Sequence, residues 1–281
     1  MTGPPDQYGV IGHPVAHSLS PFIHGLFARA TGESLTYRLF DVKPEMFRGR
    51  VLDFFGSGGK GLNVTVPHKI AAAEIANELT PRAARAGAVN TLALRDNRLL
   101  GDNTDGAGLV RDLHDHLGVS LSAQHVLVVG AGGAARGVIA PLFELGPVDI
   151  VVANRTEERA RALAADFSDL GAISGSSFEA LAGQTFGLVL NATSASLDGS
   201  VPPLPEGIIS ADSVCYDMVY GKSETPFMRW ALDRGCGCAV QGWGMLVEQA
   251  AESFLVWRGV RPDTAPVLEA LRRRLLSAPP G

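Results

Sequence analysis

Residues 126–136 read Val-Leu-Val-Val-Gly-Ala-Gly-Gly-Ala-Ala-Arg, four apolar residues that run directly into a glycine turn. Gly130, Gly132 and Ala135 fit a G-x-G-x-x-G/A frame. In that frame the two glycines permit a tight turn and close approach to a ligand, and the small third residue lets a helix pack on the strand. A pyrophosphate can bind the exposed N–H groups where such a helix begins. An ordinary strand-to-helix turn is the alternative, and only alternation of strands and helices in the surrounding chain favours a nucleotide site.

Such alternation is present on both sides of the turn. Upstream, strands are predicted at residues 8–12, 37–42, 62–66 and 89–95, with helices at about 44–55 and 69–79. The Ser20-Pro21 pair predicts a capping hydroxyl and a helix-starting proline for a further helix. Downstream, strands are predicted at residues 150–153, 188–191 and 214–217, and terminal helices at 245–257 and 264–276. This order predicts α/β folding with mostly parallel sheets.

The length of 281 residues favours two domains. Residues 104–243 are predicted to form a Rossmann-type nucleotide-binding domain. Residues 1–103 together with 244–281 are predicted to form an α/β substrate domain with a mostly parallel sheet, and the reaction is expected in the cleft between the domains.

Composition excludes several functions. The net charge is −5 and the only cluster of basic residues is Arg272–Arg274, which disfavours nucleic acid as a partner. No stretch approaches the ~20 apolar residues of a spanning helix, and the first residues lack the pattern of a leader, so no membrane association is expected. The odd number of cysteines, Cys215, Cys236 and Cys238, predicts reduced thiols in the cytoplasm, and the lack of a second ligand pair disfavours zinc.

The cofactor prediction depends on the residues about twenty positions after the glycine turn, where an acidic side chain would hold the ribose of NAD. Asn154-Arg155-Thr156 stands there instead, followed by Arg159. Two guanidinium groups and a hydroxyl suit a 2′-phosphate, so this pattern favours NADP over NAD. In the alternative interpretation Asn154 ends a strand, Thr156 caps a helix and the arginines are only solvated.

Candidate acid/base chemistry lies in the first half of the chain. The segment Asn63-Val-Thr-Val-Pro-His-Lys69 places a lysine at a predicted helix start, where a cation is electrostatically disfavoured. Asp105 is the candidate anionic partner. A lysine ammonium can supply the proton that a ketone oxygen needs during hydride reduction, and a neighbouring carboxylate favours and orients that charged form. For Asp105 alone, a helix N-cap is an equally good interpretation.

Ordered blocks of sequence make nearly the whole chain resemble the shikimate dehydrogenases, NADP-linked enzymes of aromatic amino-acid biosynthesis. The blocks are His17-Ser-Leu-Ser-Pro21, residues 63–69, Gly87-Ala-Val-Asn-Thr91, residues 101–106, 130–134 and 154–156, Asn191-Ala-Thr-Ser194, Tyr216-Asp-Met-Val-Tyr220 and residues 244–250. The sequence departs from the family pattern at Ala195 and Ser196, where glycine is frequent, and this departure bears on local loop geometry.

The resemblance implies roles for individual residues. Lys69 would be the catalytic acid/base and Asp105 its partner. The side chains implied to hold the shikimate hydroxyls and carboxylate are Ser18, Ser20, Thr65, Lys69, Asn90, Asp105, Tyr220 and Gln249. The implied NADP contacts are Gly130, Ala131, Gly132, Gly133, Ala134, Asn154, Arg155, Thr156 and Arg159, with Met218 and Gly242 beside the nicotinamide.

The implied reaction is the reversible NADPH-dependent reduction of 3-dehydroshikimate to shikimate in the chorismate pathway. A quinate/shikimate dehydrogenase, or a paralogue acting on another hydroxylated ring acid, is the alternative within enzymes. A non-catalytic NADP-sensing protein is the alternative of another class, and the presence of both Lys69 and Asp105 counts against it. The oligomeric state is left open, with a homodimer as one candidate assembly.

Overall fold

The computed structural model describes residues 4–276, which fold into two compact units. One unit takes the chain up to Gly108 and again from Leu246, and the other is Leu109–Met245. Within residues 4–276, no helix is both long enough and apolar enough to cross a bilayer.

The first unit is built on a six-stranded mixed sheet with strand order β2-β1-β3-β5-β6-β4. The pairs β1–β2, β1–β3 and β4–β6 are parallel, whereas β3–β5 and β5–β6 are antiparallel. The elements are β1 (Asp6–Gly12), α1 (Ser20–Thr31), β2 (Leu35–Asp41), α2 (Phe47–Gly56), β3 (Gly61–Val64), α3 (Lys69–Ile75), β4 (Glu78–Leu79), α4 (Pro81–Ala86), β5 (Thr91–Arg95), β6 (Arg98–Asp102) and α5 (Asp105–Arg111), which continues into the second unit.

The hairpin of β5 and β6 is missing from the sequence-based prediction, which contains no strand at residues 98–102. Its turn residues Asp96 and Asn97 have φ angles of 48° and 58°. Two successive left-handed residues are typical of a two-residue hairpin turn, and Asp and Asn tolerate that conformation. The signal was therefore present in the sequence. The hairpin matters for the site because β6 leads directly to Asp105.

Two details of the predicted helices are wrong. The helix predicted for residues 69–79 ends at Ile75, because Glu78 and Leu79 pair with β6 as a short strand. The predicted cap of α1 is also incorrect, since the helix already begins at Ser20 and has no side-chain cap. Instead, the Ser20 N–H donates to Oγ of Ser18 at 3.3 Å, and the Ser18 hydroxyl donates to Oγ of Ser20 at 3.2 Å.

The second unit is built on a six-stranded sheet in which every pair is parallel, with strand order β12-β11-β10-β7-β8-β9. Its elements are β7 (His125–Val129), α6 (Gly133–Glu144), β8 (Asp149–Ala153), α7 (Glu157–Asp166), β9 (Ile173–Ser176), β10 (Leu188–Asn191), β11 (Val214–Asp217), α8 (Pro226–Asp233) and β12 (Cys238–Gln241). Two helices then follow, α9 (Trp243–Arg258), which continues into the first unit, and α10 (Ala265–Leu276).

The apolar run at residues 126–129 forms the central strand β7. Val126 and Val128 pack into one hydrophobic cluster, whereas Leu127 and Val129 pack into another. Such burial on both faces is characteristic of a parallel strand covered by layers on each side, and it explains why the run is continuously apolar rather than alternating. The strand order reverses between β7 and β10, and ligands of such sheets bind at the carboxyl ends next to this reversal.

Candidate active site

Lys69 and Asp105 form an ion pair in the first unit. Lys69 is the first residue of α3 and Asp105 the first residue of α5, and their side chains are 12% and 6% exposed, respectively. The Lys69 ammonium donates to Oδ2 of Asp105. Removal of water strengthens the attraction between such charges, so the lysine is held in one orientation. This geometry suits an acid/base group supported by a carboxylate.

The second oxygen of the Asp105 carboxylate is occupied by Asn90, whose Nδ2 donates to Oδ1 across 2.8 Å. The same amide nitrogen lies 3.3 Å from Oε1 of Gln249. Oδ1 of Asn90 accepts from the backbone N–H of Thr104 at 2.8 Å, which fixes the direction of the amide. Four of the residues implied by the resemblance, Lys69, Asp105, Asn90 and Gln249, are therefore joined by hydrogen bonds.

A buried layer of polar side chains beneath this group was missed by the sequence analysis. Nδ2 of Asn63 donates to Oγ of Ser253 at 2.9 Å, and the Thr91 and Ser253 hydroxyls are 2.7 Å apart. Thr91 also donates to Oδ1 of Asn90 at 2.9 Å. Asn63 and Thr91 lie inside blocks that carry the resemblance, so their position was a usable signal. The sequence contained no such signal for Ser253, because its contact with Thr91 joins residues 162 positions apart.

The remaining residues implied to bind substrate are Ser18, Ser20, Thr65 and Tyr220. Ser18 and Ser20 bond to each other at the start of α1. Thr65 follows β3, and its backbone N–H donates to the carbonyl oxygen of Ile11 at 2.9 Å. Tyr220 lies in the second unit, in the turn after β11. Among residues 4–276, the Ser18, Ser20 and Thr65 side chains form no hydrogen bond with Lys69 or Asp105, and the roles of all four residues as ligands remain predictions.

The glycine turn after β7 provides an open cradle for a phosphate. Gly130 has a φ angle of +112°, which L side chains rarely adopt. A Cβ atom at Gly132 would meet no atom within 4 Å, so the space above the turn is free. Gly132 is the N-cap of α6 and no side chain caps this helix. The N–H groups of Gly133 and Ala134 at the helix start are accordingly suited to an anion.

The segment implied to bind the 2′-phosphate follows β8. Nδ2 of Asn154 donates to the carbonyl oxygen of Thr156 at 2.9 Å, which shapes the turn into α7. Thr156 is the N-cap of α7 but its side chain caps no N–H group. Arg155 and Arg159 are exposed, and neither forms an ion pair with any residue that the structure describes. The Thr156 hydroxyl and the guanidinium groups of Arg155 and Arg159 are available to bind a phosphate. This set of donors fits the 2′-phosphate of NADP.

The two residues implied to lie beside the nicotinamide are adjacent to each other. A Cβ atom at Gly242 would lie 3.0 Å from the carbonyl oxygen of Met218. Glycine therefore lets the end of β12 approach the turn after β11 closely. The backbone N–H of Gly221 in that turn donates to Oε1 of Gln241 at 2.6 Å, which ties the same two segments together.

Three family models match separate segments of the chain, together more than half of its length. Residues 10–92 match the model described as shikimate dehydrogenase substrate binding domain. Residues 112–197 match the model described as shikimate / quinate 5-dehydrogenase. Residues 242–272 match the shikimate 5′-dehydrogenase C-terminal domain.

Individual relatives are similar over nearly their full lengths. The chain is 55% identical over 271 residues to the shikimate dehydrogenase (NADP(+)) of Aeromonas hydrophila, covering 96% of this chain and 98% of that protein. It is 52% identical over 268 residues to the protein of the same name from Methylococcus capsulatus, covering 95% and 96% of the two chains. The crystal structure of shikimate 5-dehydrogenase from Thermus thermophilus in complex with NADP(H) and shikimate superposes with a TM-score of 0.83 at 36% identity, covering 96% of this chain and 100% of that one. The chain therefore belongs to the NADP-linked shikimate dehydrogenase family.

Proposed function

We propose that the protein catalyses the reversible NADPH-dependent reduction of 3-dehydroshikimate to shikimate, a step of aromatic amino-acid biosynthesis. The observation that carries the proposal is the bonding of Lys69, which is 12% exposed, to the buried Asp105 and through it to the buried Asn90, in a chain of this family. A cytoplasmic location is part of the proposal and is in line with three cysteines that are all free thiols.

Lys69 is the proposed proton donor. When bound, NADPH supplies a hydride to the ketone carbon, which leaves negative charge on the ketone oxygen. The ammonium of Lys69 places a proton at that oxygen, and Asp105 keeps the ammonium oriented toward it. In the direction of alcohol oxidation, neutral Lys69 takes up the hydroxyl proton. Asn90 holds the other oxygen of Asp105, so this carboxylate cannot rotate away from the lysine.

Recognition of a ring carrying several hydroxyls suits the polar side chains that we assign to the substrate. Asn90 and Gln249 offer amide groups, and Ser18, Ser20 and Thr65 offer hydroxyls. A site built to hydrogen-bond several hydroxyls rejects analogues that lack them, because buried polar groups of the protein are then left unpaired. We propose that the serines bind the substrate carboxylate through their hydroxyl groups and nearby backbone donors.

Cofactor recognition is assigned to the second unit. The N–H groups at the start of α6 would hold the pyrophosphate, and Arg155, Thr156 and Arg159 would hold the 2′-phosphate. Met218 and Gly242 would border the nicotinamide. The open space at Gly132 and the absence of a side-chain cap on α6 support this assignment.

One assay tests the function most directly: initial rates with shikimate and with quinate, each with NADP+ and with NAD+. We expect the highest kcat/KM for shikimate with NADP+. Quinate is a second candidate substrate because the model matched by residues 112–197 is described for both compounds. A higher kcat/KM for quinate would replace the proposal with that candidate. Binding of NADPH without turnover of any ring acid would favour the non-catalytic alternative.

The role of Lys69 is tested by Lys69→Ala, with Lys60→Ala as the matched control because Lys60 is exposed in the same unit. General acid/base groups typically contribute about 10²–10⁴-fold to the rate. We expect kcat of Lys69→Ala to fall within this range, with NADPH binding unchanged and Lys60→Ala close to the parent. Shikimate oxidation at the parent rate in Lys69→Ala would exclude Lys69 as the proton donor.

A further inference from the structure

Asp217 at the end of β11 is a fully buried carboxylate held by neutral donors. Its Oδ2 accepts from the Ser196 hydroxyl at 2.6 Å. Its Oδ1 accepts from Nδ2 of Asn191 at 3.0 Å and from the backbone N–H of Val219 at 3.1 Å. Among the described residues, no Lys, Arg or His forms an ion pair with it. A buried charge is costly unless it is hydrogen-bonded, so each donor to Asp217 is held firmly in place.

The pKa of the Asp217 carboxyl is consistent with this arrangement. Burial raises it above the usual range, and the hydrogen bonds from Ser196, Thr225, Val219 and Asn191 act in the opposite direction. The donors thus offset part of the cost of keeping the carboxylate charged in a dry environment.

These bonds connect two loops at the carboxyl edge of the sheet. Ser196 lies in a short helical turn after β10, at Ala195–Asp198, while Val219 lies in the turn after β11. The backbone N–H of Met218 also donates to the carbonyl oxygen of Asn191 at 3.0 Å. The position of Met218 therefore depends on Asp217 and Asn191, and the position of Asp217 depends in turn on Ser196.

The first of these loops also contacts the glycine turn. A Cβ atom at Gly130 would lie 3.1 Å from Cγ2 of Thr193 and 3.2 Å from the carbonyl carbon of Ala192. Oδ1 of Asn191 accepts from the Thr193 hydroxyl at 2.7 Å, which fixes the loop at this point. Ser196 thus lies in a loop that approaches the phosphate cradle at Thr193, and it bonds the residue that precedes the turn after β11. At this position the sequence departs from the glycine frequent in the family.

We propose that Ser196 is a positioning residue for the nicotinamide half of NADPH, an inference that rests on the proposed function. Its hydroxyl holds Oδ2 of Asp217, which keeps Oδ1 aimed at the Val219 N–H and so fixes the turn containing Met218. Glycine or alanine at residue 196 would remove the hydroxyl that donates to Oδ2 at 2.6 Å and would leave Thr225 as the remaining hydroxyl donor to this carboxylate. The adenosine half of the cofactor, bound near Arg155, does not depend on this turn.

The test compares two ligands, NADPH and 2′,5′-ADP, which carries the adenosine and 2′-phosphate but no nicotinamide. Dissociation constants are measured calorimetrically for the parent, Ser196→Ala, Ser196→Gly and Ser196→Thr. Ser200→Ala is the matched control, because Ser200 is exposed in the same loop and bonds only the backbone oxygen of Ala195, at 3.1 Å. Thermal unfolding of each free protein checks that the variants are folded.

We expect the NADPH dissociation constant to rise about tenfold in Ser196→Ala and Ser196→Gly, since a hydrogen bond to a charged group is lost. The constant for 2′,5′-ADP should not change, and Ser196→Thr and Ser200→Ala should behave like the parent. Equal weakening of both ligands would overturn the proposal, as would unchanged NADPH binding. Absence of dehydrogenase activity in the parent would refute the proposed reaction, whereas the difference between the two ligands is measured without turnover.

Discussion

Asn90 donates a hydrogen bond from Nδ2 to Oδ1 of Asp105 across 2.8 Å, while the other oxygen of this carboxylate accepts from Lys69. The carboxylate is therefore held at both oxygens by side chains of the protein. Because Asn90 is itself held by Thr104 and Thr91, the direction of the lysine is determined by neutral groups as well as by charge.

Replacement of Asn90 by alanine should disturb this arrangement without removing a charge. A hydrogen bond to a charged group contributes about 1.5–3 kcal/mol, so kcat/KM for shikimate should fall about 10- to 100-fold in Asn90→Ala. Steady-state kinetics measure the change. Asn77→Ala is the control, because Asn77 is exposed and bonds the Leu99 N–H at 2.8 Å outside the group around Lys69. An Asn90→Ala protein with the kcat/KM of the parent would show that Asp105 is held sufficiently by Lys69.

Ser253 should contribute to stability through the buried polar layer. Its hydroxyl is the closest acceptor for Nδ2 of Asn63, at 2.9 Å, and it is fully buried. In Ser253→Ala, the Asn63 amide keeps only contacts of 3.3 Å, and a poorly paired buried donor costs about 1–3 kcal/mol. The urea midpoint should therefore decrease. Ser57→Ala is the control at an exposed serine of the same unit, and equal midpoints for the two variants would contradict the role of the Ser253 hydroxyl.

The elements that the sequence predicted well share a local cause. The apolar run at residues 126–129 and the glycine turn after it specify strand, turn and helix within a few positions, and the structure has them there. A cation at a helix start needs compensation, which made Asp105 the candidate partner of Lys69 beside an equally good N-cap interpretation, and the family resemblance also implied the pair. The structure pairs the two residues.

What the sequence could not predict is mostly nonlocal. The bond from Asn63 to Ser253 spans 190 positions, and no periodicity within α9 distinguishes this serine from a core position. Ser196 was noticed only as a departure from a family pattern, and its partner Asp217 lies 21 positions away. The missed strand β6 is different, because the Asp96-Asn97 turn was a local signal that could have been used.

Arg155 should determine the preference for NADP+ over NAD+. Its side chain is exposed, and in the proposed complex its guanidinium contacts a phosphate that NAD+ lacks. We expect Arg155→Ala to raise the dissociation constant of NADP+ by about tenfold or more, and that of NAD+ much less. Arg161→Ala is the control on α7, because Arg161 is already paired with Glu157 at 2.7 Å. Equal weakening of both cofactors in Arg155→Ala would refute the proposed contact with the 2′-phosphate.

His24 should make the first unit sensitive to acid. It is completely buried in α1, and its ring stacks on Tyr37 with centroids 4.4 Å apart. Burial lowers the pKa of His24 from 6.5 to about 3, so the folded protein keeps the ring neutral where the unfolded chain protonates it. Between these two values the unfolded state binds more protons, and stability must therefore fall as the pH decreases from about 6.5 toward 3.

The size of this effect can be isolated by replacing the histidine with an aromatic residue that does not titrate. For each pH unit below 6.5, the free energy of unfolding falls by about 1.36 kcal/mol because of His24. At pH 5 this histidine should therefore lower the free energy of unfolding by about 2 kcal/mol relative to neutral pH. Urea unfolding at pH 5 and pH 7.5 should show a smaller loss of stability in His24→Phe than in the parent, by about that amount. His17→Phe, at an exposed histidine of the same unit, should lose as much as the parent. The same loss in His24→Phe and in the parent would mean that acid sensitivity arises elsewhere, because only a group with different proton affinities in the folded and unfolded states can produce it.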